Sequence, residues 1–219
     1  MKRLIFLILS LVLTLQVTPV NAANKSVTFT ADVWADNWFA LYINGKMVGQ
    51  DSVPITTERS FNSVQITFKA TYPLTIGLIG KDFKENDSGL EYIGSNRQQI
   101  GDGGIVLQIK EAASGKIVST TNKKWRVLAI QQAPLNSECV TSNDPVRDCK
   151  FIEKSVPLNW SKSSFKDSKW LFAREYSESE VGVKDGYLEI NWDEKAKLIW
   201  GEDLKIDNTL LFRFKVSGK

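Results

Sequence analysis

Asp36-Asn37-Trp38-Phe39-Ala40-Leu41-Tyr42-Ile43-Asn44-Gly45-Lys46-Met47-Val48-Gly49 places two strand-like apolar runs, residues 39–43 and 46–48, on either side of Asn44-Gly45. Asn and Gly tolerate the positive φ that a two-residue type I′ turn requires, so the stretch reads as a β-hairpin. Phe39, Leu41 and Ile43 share one face at period two, which makes that face a core face. Asp36, Asn37 and Trp38 crowd the segment that feeds the first strand, forming a polar rim.

The pattern continues in both directions. Val27, Phe29, Ala31 and Val33 alternate with polar residues, and so do Val64, Ile66, Phe68 and Ala70. Residues 74–79 form a nearly continuous apolar run, suited to a strand covered on both faces. Further strands are expected at 105–109, 116–121, 125–130, 187–192, 196–200 and 210–216, the last with Leu210, Phe212, Phe214 and Val216 facing one way. Between them lie two irregular segments, 80–104 and 131–159, and Ser177-Glu178-Ser179-Glu180 has the spacing of a capping box that starts a short helix. Eight or nine short strands with almost no helical periodicity imply two packed sheets, all-β, with at most one short helix. No internal repeat or linker is visible, so residues 23–219 read as one domain.

Residues 1–22 read as a secretory signal peptide: Lys2 and Arg3 form the charged start, 4–15 the apolar run, and Val20-Asn21-Ala22 the small-residue cleavage site. The apolar run is too short for a membrane span, and no later stretch of the mature chain supplies one. Secretion or a periplasmic location is therefore expected. Removing Lys2 and Arg3 from a formal charge of +3 leaves +1, too little for non-specific phosphate binding, so no nucleic-acid partner is expected. Cys139 and Cys149 are the chain's two cysteines, and in an exported protein such a pair reads as a disulfide. Closing so short a loop is worth about 3 kcal/mol in the chain-entropy model.

The early strand ending in Asn44-Gly45-Lys46, then Trp125, then Trp160 followed by Phe165-Lys166-Asp167-Ser168-Lys169-Trp170 resembles the galactose-binding-like jelly-roll family. Lys166 stands where that family's pattern has an acid. The resemblance implies a jelly-roll type of β-sandwich with long loops, of the kind that binds sugars through loops at one end, and some members hold a structural calcium ion.

Sugar recognition needs an aromatic face plus amides, carboxylates or an arginine fork for the hydroxyls. Trp38, Tyr92, Arg97, Gln98 and Asp102 supply those groups and are the expected ligand contacts. Asp82, Asp87 and Glu91 concentrate oxygen donors that calcium would take, although their spacing is not that of an EF-hand and a solvated acidic turn is the preferred account of them. No other cofactor is expected. With no histidine and no Gly-x-Ser-x-Gly elbow, catalytic residues are not assigned. Acids for a glycosidase exist in Asp82, Asp87, Glu91 and Asp102, but no spacing selects two of them. The reading is a secreted, non-catalytic binding module whose partner is a carbohydrate or, alternatively, a cell-envelope protein.

Overall fold

The computed structural model describes residues 25–218. The expected signal peptide, residues 1–22, lies outside them. In chain order the strands are β1 (Val27–Asp36), β2 (Trp38–Ile43), β3 (Lys46–Gln50), β4 (Asn62–Ala70), β5 (Leu74–Lys81), β6 (Leu90–Glu91), β7 (Gln99–Ile100), β8 (Gly104–Glu111), β9 (Ile117–Thr120), β10 (Arg126–Gln132), β11 (Ile152–Glu153), β12 (Leu171–Phe172), β13 (Arg174–Tyr176), β14 (Leu198–Trp200) and β15 (Asp207–Val216). They form two large antiparallel sheets. The first runs β13-β14-β8-β1-β4 with β9 beside β8, and the second runs β11-β10-β15-β5-β2-β3 with β12 also on β10. The small pair β6-β7 stands apart.

The hairpin forms as its residues dictate. Asn44 and Gly45 take φ of 51° and 86°, and β2 pairs with β3 across them. Asn44 also fixes its surroundings, because its Oδ1 accepts from the Thr75 amide at 2.7 Å and its Nδ2 donates to the Thr71 carbonyl at 3.2 Å. The core lies between the sheets, with Phe29, Ala31 and Val33 of β1 packed against Phe39, Leu41, Leu78, Leu107 and Phe212, and with Trp125 and Trp200 filling its breadth. Period-two alternation put these side chains on one face of each strand.

Parts of both outer faces are covered as well. Over the first sheet, Trp34, Val106 and Leu198 are buried by Val181 and Tyr187. Over the second, Leu211 and Ile130 are buried by Trp160 and Trp170. This wrapping explains a departure from the sequence expectation. Residues 187–192 were expected to be a strand, but Tyr187–Glu189 is a 3-10 turn followed by irregular chain. Its aromatic rings pack across the sheet instead of pairing along it: Tyr187 meets Trp34 at 5.4 Å and Trp192 at 5.8 Å between centroids.

The expected capping box starts α2 (Glu178–Val181), where Ser177 Oγ accepts from the Glu180 amide; the helix stops at Gly182 with φ of 65°. A second helical turn, α1 (Pro145–Asp148), lies earlier in the chain, capped by Asp144 with proline in its first turn. No helix among the described residues is long and apolar enough to cross a membrane.

Candidate binding site at one end of the sandwich

Four strand ends meet at one end of the sandwich and bring acids together. The chain crosses from the first sheet to the second at Asp36-Asn37, a cis peptide between β1 and β2. Asp36 pairs with Gly104 at the start of β8, just after Asp102. Asp82 follows the last residue of β5, and its amide donates to the Asn208 carbonyl near the start of β15 at 2.8 Å. Glu91, on β6, completes the group. Asp36, Asp82 and Glu91 are 2%, 3% and 6% exposed, so their charges are removed from water.

Hydrogen bonds hold the frame. Asn37 Oδ1 accepts from the Phe83 amide at 2.6 Å, and its Nδ2 donates to the Glu58 carbonyl at 3.0 Å. Gln99 donates to Glu91 Oε2 at 2.9 Å, and Asn208 Nδ2 to Asp82 Oδ2 at 3.3 Å. Lys184 Nζ lies 3.6 Å from Asp36 Oδ2. Asp36 Oδ2 and Asp82 Oδ1 nevertheless have no hydrogen-bond partner. Burial pushes Asp36 up to about 8, opposed by Lys184 and reinforced by Asp102 and Glu91. Burial, then the charges of Asp36, Glu91 and Asp102, pushes Asp82 well above the usual carboxylate range, and burial also raises Glu91. Gly101 is a glycine for want of space: a Cβ there would sit 2.7 Å from Asp82 Oδ2 and 3.2 Å from Glu91 Oε1.

Above this acidic floor the two irregular segments join into one cap. Cys139 and Cys149 form the expected disulfide, with Cα atoms 5.3 Å apart, and pack with Leu90, Ile93, Ile100 and Val140. Gln98 Nε2 donates to the Val140 and Ser142 carbonyls at 2.7 and 2.9 Å, stitching one segment to the other. Between them opens a cleft of about 320 Å³, lined by Gly94, Ser95, Asn96, Gln98, Thr141, Ser142 and their neighbours Val140 and Asn143. Its walls carry amides, hydroxyls and backbone and no charged side chain. Beside it the Arg97 guanidinium stacks 3.9 Å over the Tyr92 ring.

The sequence-derived contacts therefore divide. Tyr92 and Arg97 stack on one another outside the cleft's lining, Arg97 lying in the chain between Asn96 and Gln98, which line it. Asp102 belongs to the acidic floor. Trp38 is half-buried under Lys81, whose Nζ lies 5.0 Å from its ring. Of the three acids grouped as oxygen donors, Asp82 and Glu91 share the floor, while Asp87 is exposed and paired with Lys84 at 2.6 Å. Local reading of 80–104 missed Asp36, Asn37, Lys184 and Asn208, which arrive from other strands and from the outer wrapping. A signal for Asp36 was present in that an acid closes a run of buried residues.

Among known proteins, no family model and no curated sequence matches this chain. One solved structure, a lectin from Pleurotus ostreatus in complex with GalNAc, aligns with a TM-score of 0.36 at 12% identity over 88% of this chain. The alignment spans 64% of the lectin's length.

Chemically, the cap and the floor offer different things. Uncharged donors and acceptors in an open cleft suit a hydroxyl-rich neutral ligand, whereas the floor is a buried cluster of carboxyls in which burial favours the protonated forms of Asp36 and Asp82.

Proposed function

We propose that this protein is a secreted, non-catalytic carbohydrate-binding module that takes a sugar in the cleft between residues 94–98 and 140–143. The observation that carries the reading is the cleft's lining: neighbouring amides and hydroxyls, with no charged wall, beside the Tyr92–Arg97 stack. Amide and hydroxyl groups both donate and accept, which matches sugar hydroxyls, and an aromatic face alongside suits the apolar side of a pyranose. Asn96, Thr141 and Asn143 in the wall and Arg97 beside it are the polar contacts, Tyr92 is the ring, and Gln98, its amide already bonded to Val140, Ser142 and the Gly94 amide, holds the wall in place. Trp38 and Asp102, at the sheet end and in the floor, are assigned weaker parts.

A glycan array tests this directly. Wild-type protein should bind at least one glycan, Asn96→Ala and Arg97→Ala should each weaken it by about ten-fold, and both variants should keep the wild-type melting temperature. A folded protein that binds no glycan overturns the reading. The alternative is docking on an envelope protein without sugar. It is favoured by another surface, where Leu171 and Phe172 of β12, at the edge of the second sheet, are 63% and 58% exposed.

A further inference from the structure

The edge of the second sheet holds a cavity that a sugar in the cap would leave unused. β11 meets β10 at Gln131 and Gln132, and β12 meets it at Arg126 and Val127. Between those contacts Leu128 and Ala129 have no strand beside them on that side, and both line a cavity of about 310 Å³. Val127, Trp170, Leu171 and Leu210 continue the apolar lining, so the recess suits a bulky apolar side chain. Leu171, in that lining, and Phe172 after it are both exposed. No further strand lies beyond β11 or β12. An interrupted edge of this kind offers backbone donors and acceptors to an extended chain laid across it.

Charge around the cavity selects the occupant. Lys154 and Lys169 line it, both are exposed, and among the described residues neither is in an ion pair. Lys154 Nζ reaches the Ala129 carbonyl at 3.4 Å, which does not neutralise its charge. Arg126 adds a third cation, its guanidinium stacked 3.8 Å over the Phe172 ring and donating to the Trp170 carbonyl at 3.0 Å. Residues 150–174, which supply this border, carry Lys150, Lys154, Lys162, Lys166, Lys169 and Arg174 against Glu153 and Asp167, and Asp167 is committed to Arg213. Of the acids in the lining, Asp207 is buried and accepts from Gln132 Nε2 at 2.6 Å, which leaves the exposed Glu202 against two lysines. We propose that this edge docks an extended segment of a partner protein, whose bulky apolar side chain enters the cavity while acidic residues on either side of it meet Lys154 and Lys169. The segment crosses the gap between β11 and β12. A flat lipid surface would meet Leu171 and Phe172 but leave the recess empty. Docking here rests on the envelope-protein alternative and not on sugar in the cleft, and it gives that alternative a partner of stated chemistry.

The test pans a displayed library of short random peptides on the purified protein, then measures the selected peptides, resynthesised with a fluorescent label, by anisotropy. Enriched sequences should carry one aromatic or large aliphatic residue between acids. Their affinity should fall at least about ten-fold in the double variant Lys154→Glu with Lys169→Glu, and fall with added salt, while Glu202→Gln holds or improves it. All three positions are exposed, so both variants should keep the wild-type melting temperature. Replacing the peptide's apolar residue with glycine should weaken binding by about ten-fold as well. No enriched peptide, enrichment of sequences without acids, or binding that the double variant leaves intact overturns the proposal. So does binding to phosphatidylserine vesicles through the same lysines when no peptide binds, which would make the occupant a lipid surface. Self-association that the double variant abolishes would make it a second copy and overturns the proposal too. No glycan enters the measurement, so its outcome is separate from that of the array.

Discussion

Arg213 is fully buried, and its charge is met by Asp167 at 2.8 Å, by the carbonyls of Trp160, Lys162 and Phe165, and by the Phe165 ring. A buried cation so paired is strongly destabilising only when one partner goes. Asp167→Ala should therefore cost about 3 kcal/mol in urea unfolding, more than Arg213→Met, and the double variant should recover part of the loss. Asp32 gives a pH-dependent case. Burial acts to raise its carboxyl, but Gln65, Gln108 and Lys110 bond to it at 2.7, 2.9 and 3.2 Å and hold it below its ordinary value. A depressed acid contributes stability above its unfolded value and loses it as pH falls through the folded one. Asp32→Asn should thus destabilise at pH 7 and lose that effect at the acid end, once pH has fallen below the depressed folded value of Asp32, as thermal melts across pH would show. Gly101→Ala should lower the melting temperature, because its methyl group would press on Asp82 and Glu91.

At the scale of elements, the disulfide holds the cap. It closes a loop with a sequence separation of 10, and its sulfurs lie in the small cluster that Leu90 shares. Cys139→Ser with Cys149→Ser should cost about 3 kcal/mol and loosen the cleft while the two sheets persist. Weaker sugar binding with an unchanged far-ultraviolet spectrum is the expected result. What was legible in the chain follows the same division. The Asn44-Gly45 hairpin and the alternating strands could be read because turn chemistry and period two are local. Residues 187–192 could not, because their aromatic rings answer to Trp34 across the sheet. Nor could the partnership of Asp36 with Asp82, since two different sheets have to close before those residues meet. The segment 80–104 looked polar throughout, yet Leu90 within it is fully buried against the disulfide. Its short-range composition concealed a contact made with a distant part of the chain.

Across the whole molecule, two antiparallel sheets enclose one core, each with part of its outer side covered, and the cap with its acidic floor stands at the end where β1 crosses to β2. The layered fold was implied by the strand pattern, whereas the coverings were not, because nothing short-range in residues 157–170 or 181–192 says which surface they will lie on. Their presence has a consequence for what the protein can recognise. Trp160, Trp170 and Tyr187, the rings that would have made a broad flat platform, are turned inward and spent on the wrapping. On the sugar reading proposed above, these inward rings offer a planar polymer no platform, and a terminal unit, a branch or a short soluble oligomer, presented endwise, is the shape that the cleft would take.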